Sequence, residues 1–282
     1  MGRVFKSVGI VAHYDKKRAL ELVEELAYYL KSKEVAVYIE DTLAGKVNTQ
    51  GEIVPVSKMK TDFIITIGGD GTILRTRLAL PKPEPPILAV NMGVRGFLTV
   101  VEPKEAHAAV EKCLKGEFKL EKCVKLAATI DGCMIPDALN DIVISAGEPL
   151  KILYAQIFEN EKPILRCQAD GLILATQTGS TGYSLSAGGP VLDPEVDAFV
   201  LTPICSLTVF RSLVFSANSK VTIQATRPKG LLVVVDGNYR QVVTSKNPTL
   251  SVTRSNDPSW FIRFEDDFYH RLQNRVLFKG MG

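Results

Sequence analysis

No apolar run in the chain approaches the roughly 18 residues that a membrane-spanning helix requires. The N-terminus, Met1-Gly2-Arg3-Val4-Phe5-Lys6, lacks the apolar stretch of a secretory signal and leads straight into a strand. No membrane partner and a cytoplasmic location are therefore expected. An excess of one charge is also missing. Lys and Arg number 34 against 31 Asp and Glu, a net +3, and the two signs are interleaved. That argues against nucleic acid as a partner and leaves room only for a local basic pocket that holds an anionic substrate. Metal-ligand spacing is absent too. His13, His107 and His270 are scattered, and Cys113, Cys123, Cys133, Cys167 and Cys205 are odd in number without a Cys-x-x-Cys pair. No zinc site and no disulfide frame are expected, only buried reduced thiols. The chain carries no internal repeat and no low-complexity tract.

What is present is a globular composition, 46% apolar and 23% charged over 282 residues, enough for one large or two medium domains. The first part alternates strand and helix. Ser7–Ala12 reads as a strand, about 16–32 as a helix with Ala19, Leu20, Val23, Leu26, Ala27 and Leu30 on one face, and Val35–Ile39 as a second strand. Residues 41–51 read as a polar loop, 64–67 and 87–90 as further strands, and Pro103–Leu114 as a helix. Such alternation implies a parallel sheet, with ligands beyond the carboxyl ends of its strands. Near Gly116 helical periodicity stops. Short runs at 125–130, 141–145, 152–158, 171–175, 220–225, 231–235 and 249–253 are separated by turn signals, which implies a mostly antiparallel β domain. The fold class is thus an α/β N-terminal domain with a parallel sheet plus a β-rich C-terminal domain. Expected bounds are 1–116 for the donor and catalytic-loop domain, 117–264 for the β domain, and 265–282 for a C-terminal segment, helical over Asp266–Leu277, that packs back on the first domain.

The organising stretch is Phe63-Ile64-Ile65-Thr66-Ile67-Gly68-Gly69-Asp70-Gly71-Thr72. A strand runs into a glycine-rich turn, with a helix expected to open at Thr72. Gly68, Gly69, Gly71 and Thr72 form a candidate phosphate loop. Without Cβ atoms the backbone approaches a ligand closely, and the helix start supplies unpaired N–H groups. Asp70 does not suit a phosphate nest unless it takes a proton from an attacking hydroxyl or holds a magnesium ion, both of which point to phosphoryl transfer. The plain alternative is a helix cap. A second unusual stretch runs from Asp170-Gly171 through Thr178-Gly179-Ser180-Thr181-Gly182-Tyr183-Ser184-Leu185-Ser186-Ala187-Gly188-Gly189-Pro190. It is rich in hydroxyls and small residues, with Tyr183 available to stack on a base.

With these two blocks, Asn91-Met92-Gly93 and Gly96-Phe97-Leu98-Thr99, and Asn140-Asp141, the chain resembles the NAD kinase family over about residues 7–275. The resemblance implies transfer of the terminal phosphate of ATP, or of polyphosphate, to the 2′-hydroxyl of the adenosine ribose of NAD, giving NADP. It implies Asp70 as the catalytic residue and dinucleotide contacts from Asp70, Gly71, Asn140, Asp141, Asp170 and the segment Thr181, Gly182, Tyr183, Ser184, Leu185, Ser186. Lys151 and Asn238 match a basic and an amide contact, and Gln168 stands where a basic residue often precedes the aspartate. Arg75 is a phosphate partner in the first turn after the motif. A divalent cation, Mg2+, and assembly as a homodimer or homotetramer, with the site completed near a subunit interface, are implied as well. Departures from the family pattern are Gln168, Gln177, Gly182, Arg95 and the stretch Thr202–Leu207, which lacks a Pro-His. Two other readings share part of the pattern: a diacylglycerol-type lipid kinase, which has a similar Gly-Gly-Asp-Gly loop, and a non-catalytic NADP(H)-sensing protein.

Overall fold

A computed structural model describes residues 5–93, 96–264 and 268–273. The chain divides into two compact units, 1–122 with 259–282, and 123–258.

The first unit contains β1 (Ser7–Ala12), α1 (Lys17–Ser32), β2 (Ala36–Glu40), β3 (Glu52–Val54), β4 (Phe63–Gly68), α2 (Asp70–Ala79), β5 (Ile87–Asn91), α3 (Ala106–Lys115) and β6 (Lys119–Cys123). The second contains β7 (Leu126–Ile130), β8 (Cys133–Ala138), β9 (Asp141–Ala146), β10 (Leu153–Glu159), β11 (Lys162–Ala169), β12 (Gly171–Ala175), a one-turn α4 (Tyr183–Ser186), β13 (Ala198–Ile204), β14 (Leu213–Ser216), β15 (Val221–Arg227), β16 (Leu231–Val235), β17 (Tyr239–Val243) and β18 (Thr249–Arg254). The chain then returns to the first unit with β19 (Ser259–Arg263) and α5 (Phe268–Leu272).

The first sheet has seven strands in the order β3-β2-β1-β4-β5-β19-β6. The pairs from β3 through to β19 are parallel. β1, β4 and β5 are buried almost throughout, as the unbroken apolar runs of a sheet covered on both faces require. The helix α1 lays Ala19, Leu22, Val23, Leu26, Ala27 and Leu30 on the sheet, so Leu22 joins the expected stripe and Leu20 sits at its border. The expected helix at 103–114 is a single 3-10 turn followed by α3, which ends on Gly116 in the left-handed region at φ 79°. From β1 the chain goes to β2 on one side, and from β3 it returns to β4 on the other. The strand order reverses between β1 and β4, where an open parallel sheet parts its loops into a crevice.

The second unit holds two six-stranded sheets, ordered β11-β10-β15-β18-β7-β8 and β14-β13-β12-β9-β16-β17, with antiparallel pairing. β7, β15 and β16 alternate buried and half-exposed residues, whereas β12 is buried on both faces. The segment 176–192 covers β12 and β13: Leu192 packs with Ile173 and Val200, and the Ser184 hydroxyl meets that of Thr202 at 2.8 Å.

The units divide at 122/123 and 258/259, where the sequence suggests 116/117 and 264/265. β6 and β19 complete the first sheet; β6, Lys-Leu-Glu-Lys-Cys, carries no strong strand signal, whereas β19, Ser-Trp-Phe-Ile-Arg, has the aromatic and β-branched residues of a strand but is not among the expected ones. Of the expected C-terminal helix over 266–277, α5 is described and the rest lies outside the described residues. The Phe268 ring lies 6.4 Å from that of Phe97. Among the described residues no helix is long and apolar enough to cross a membrane. The five cysteines are free; Cys113, Cys123 and Cys167 are buried, and Cys133 and Cys205 are exposed.

Candidate active site

β4 ends at Gly68 and α2 begins two residues on, at Asp70 rather than at Thr72. Gly69 is the extended residue ahead of the helix, at φ −105° and ψ −175°. None of Gly68, Gly69 and Gly71 has a positive φ, so the glycines do not serve a left-handed turn. Their use is space. Nothing lies within 4 Å of a Cβ built on Gly69 or Gly71, while one on Gly68 would fall 2.2 Å from the Thr72 hydroxyl. Gly69, Gly71, Thr72 and Arg75 of this turn line a cleft of about 320 Å³ together with Ala12, His13, Tyr14 and Lys16 from the loop after β1. The cleft therefore opens at the reversal of strand order.

Asp70 is the first residue of α2. Its half-buried carboxylate reaches the loop after β5, where Phe97 N–H donates to Oδ2 at 3.0 Å and Leu98 N–H to Oδ1 at 3.2 Å. Lys16 Nζ donates to the Met92 carbonyl at 2.8 Å across the adjoining loops. Arg75 lines the cleft and is engaged in an ion pair. Its guanidinium is forked onto buried Glu40, with Nη2 to Oε2 at 3.0 Å and a second contact between Nη1 and Oε1. Hydrogen bonding to Glu40 is the main reason its pKa stands above the ordinary arginine value. Neither Glu40 nor the loop after β1 carries a motif signal in the sequence.

In the second unit, Asp141 opens β9 directly after Asn140, and the 3-10 turn Gly179–Thr181 lies against them. A Cβ on Gly179 would stand 1.9 Å from the Asn140 carbonyl oxygen, so only glycine admits this contact. A Cβ on Gly182 would stand 3.8 Å from Asn140 Nδ2 and 3.9 Å from Asp141 Oδ2, so Gly182 also borders this pair. Thr181 and Ser184 are buried, Gly182 and Leu185 half-buried, and Tyr183 and Ser186 exposed. Asn140 Oδ1 is buried without a hydrogen-bond partner.

The residue that builds this corner is Asp236, which the sequence analysis does not single out. Its carboxylate accepts the N–H groups of Leu139, Asn140 and Asp141 at 2.9, 2.8 and 3.1 Å, and Asn238 Nδ2 donates to its carbonyl at 2.8 Å. The Asp-Gly turn ahead of β17 is the available sequence signal. Burial, aided by the charge of Asp236, pushes the Asp141 carboxyl up to about 7.

Other expected residues lie apart from this corner. Asp170 precedes β12, whereas Asp141 pairs with Ala175 at the other end of the same strand. Five residues separate the two ends, roughly 17 Å of strand. Exposed Gln168 lies further along β11 and lines a second cleft, of about 360 Å³, with Tyr154, Arg166 and Thr208. Lys151 is exposed between β9 and β10.

A glycine turn at the strand reversal, with a carboxylate beside an open cleft, is the arrangement of a phosphotransferase. Residues 8–118 match the family model of the ATP-NAD kinase N-terminal domain, and residues 139–264 that of the ATP-NAD kinase C-terminal domain. The NAD kinase of Methanothermobacter thermautotrophicus is 36% identical over 279 residues, 97% of each chain. The bifunctional NADP phosphatase/NAD kinase of Methanocaldococcus jannaschii is 38% identical over 94% of this chain, which covers 46% of that longer protein. Among solved structures, yeast NADH kinase complexed with NADH superposes with a TM-score of 0.89 at 25% identity, covering 99% of this chain and 89% of that one. An NAD kinase from Archaeoglobus fulgidus in complex with ATP gives 0.78 at 28% identity, over 95% and 99%. The chain belongs to the NAD kinase family.

Proposed function

We propose that the chain transfers the terminal phosphate of ATP to the 2′-hydroxyl of the adenosine ribose of NAD, with Asp70 as the catalytic residue. The observation that carries this reading is the half-buried Asp70 carboxylate, anchored on two backbone N–H groups at the turn whose Gly69 and Gly71 face the cleft. A carboxylate so fixed orients the sugar hydroxyl and accepts its proton late in a loose transition state, where positioning carries most of the acceleration. The N–H groups at the start of α2 receive the donor phosphates. Polyphosphate is a second donor that this turn can accept, since neither contact needs a base.

Asn140 and Asp141 bind the dinucleotide, together with Thr181 and Gly182, which border the same corner. Support comes from the orphaned Asn140 oxygen, an acceptor available to a ligand N–H or O–H. Asp170, Gln168 and Lys151 are kept as binding residues, and the roughly 17 Å of strand between Asp170 and Asp141 favours their contribution from a second copy; Asn238, bonded to the Asp236 carbonyl, contributes from the Asn140–Asp141 corner itself. A homodimer or homotetramer is the assembly that follows. Among the described residues no three His, Cys, Asp or Glu side chains converge on a metal site. A Mg2+ ion would then rest on the donor phosphates and water with Asp70 as its protein oxygen, the ligand mix magnesium favours, and would neutralise phosphate charge.

The test is turnover of NAD with ATP and Mg2+, read by an NADP-specific assay. Asp70→Asn is expected to bind NAD normally and lose kcat by roughly 10² or more. Near-normal turnover in that variant would remove Asp70 from the chemistry.

A further inference from the structure

The loop that holds Asp70 is itself held. Arg263, the last residue of β19, is 7% exposed. Its Nη1 donates to the Leu98 carbonyl at 3.0 Å in a buried hydrogen bond. Its Nε is bonded to Glu121 Oε2 of β6, and its guanidinium stands 4.9 Å from the centre of the Phe261 ring. Leu98 is also the residue whose N–H meets Asp70 Oδ1. A continuous relay therefore runs Glu121–Arg263–Leu98–Asp70, from the distal strands of the sheet to the carboxylate at its centre.

We propose that Arg263 is a positioning residue for phosphoryl transfer, acting through the Leu98 backbone to fix the Asp70 carboxylate; this rests on the reading of Asp70 given above. The chemistry favours arginine. A planar guanidinium keeps donors in two fixed directions, so one serves Glu121 while another reaches Leu98; a lysine ammonium has no such fork. Residues 96–99 form no helix or strand, so the N–H groups that meet Asp70 depend on outside anchors. Arg263 on the Leu98 carbonyl is one; within the loop, the Thr99 hydroxyl accepts the Gly96 N–H at 3.1 Å. A displacement of about 1 Å at a reacting group lowers turnover by roughly a hundredfold.

The experiment compares Arg263→Met, Arg263→Lys, Glu121→Gln, Asp70→Asn and the double variant Asp70→Asn/Arg263→Met, with kcat and KM for NAD and ATP and the thermal midpoint of each. Arg263→Met is expected to lose kcat by ten- to a hundredfold, with both KM values within about twofold of wild type. Arg263→Lys should recover part of that loss. The double variant should turn over no more slowly than Asp70→Asn, because the two residues act as one unit. A purely structural arginine would instead give losses that multiply in the double variant, or a rise in KM, and either result overturns the proposal. If Arg263→Met does not fold, Glu121→Gln, which keeps the guanidinium but loosens it, decides by the same split between kcat and KM. An inactive Asp70→Asn beside fully active Arg263 and Glu121 variants sinks the positioning role alone. A near-normal Asp70→Asn sinks it together with the reading beneath it.

Discussion

A Cβ added to Gly96 would fall 2.0 Å from Asp70 Oδ1 and 2.6 Å from its Cγ, a collision that no rotamer of alanine relieves. Gly96→Ala should therefore push the carboxylate off its two N–H partners. The expected outcome is a fall in kcat on the order of 10² with NAD binding retained, read by single-turnover kinetics beside calorimetric titration. At Asp141 the folded chain holds a proton that the unfolded chain gives up, because the folded carboxyl is raised to about 7 from an ordinary value of 3.8. Between these pH values the folded state binds more protons, so this residue's contribution makes stability fall as pH rises, levelling off above about 7. Asp141→Asn removes that term. The gap in urea midpoint between variant and wild type should widen in the variant's favour from pH 5 to pH 8. Equal gaps at the two pH values would contradict it. The residue scale is also where the sequence was most and least informative. Asp70 stood out because a carboxylate among glycines is chemically odd. Glu40 and Arg263 gave no local signal, and Asp236 only that of an Asp-Gly turn, since their partners lie 35, 165 and 95 residues away.

At the scale of elements, α2 carries the reactive turn at one end and a buried charge at the other. Arg77 and Glu84, each with a side chain 3% exposed, form an ion pair at 3.8 Å, and Ser259 Oγ donates to Glu84 at 2.6 Å. Removing one partner leaves the other charge less well compensated in a dry site. Glu84→Ala should cost about 3 kcal/mol of stability, measured by denaturant unfolding, whereas Arg77→Met with Glu84→Leu should cost less than Glu84→Ala alone. Periodicity made most elements readable: α1, β1, β4, β5, β12 and β16 follow their apolar spacing. It failed where exposure or proline masks a strand. β8 contains Pro136, β11 begins Lys-Pro and is exposed over most of its length, and β17 has only its last residue buried. The helix start at Asp70 rather than Thr72 was also hidden, because glycines argue against a helix that the sheet edge nonetheless nucleates.

For the whole molecule, the distance between Asp170 and the Asn140–Asp141 corner makes a prediction about assembly. If a site draws Asp70 from one copy and Asp170 from another, each single variant is inactive for a different reason. Asp70→Asn and Asp170→Asn homomers, mixed under conditions that exchange subunits, should then regain up to about a quarter of wild-type activity, as random pairing would leave some sites intact. No recovery despite demonstrated exchange would place both residues in one chain's site. This level was not legible from strand patterns, which fix neighbours along a sheet but say nothing of a second copy.

β19 lies between β5 and β6 in the first sheet, yet it is made only after all of β7 to β18. A ribosome must therefore release more than 130 residues beyond β6 before the strand that belongs beside it exists. Until then β6 lacks its neighbour and the start of β5, beyond the stretch that Val101 pairs, is open to pairing with whatever is near. Birth order thus runs against assembly order, and the N-terminal half should need shielding during synthesis that the finished enzyme no longer does.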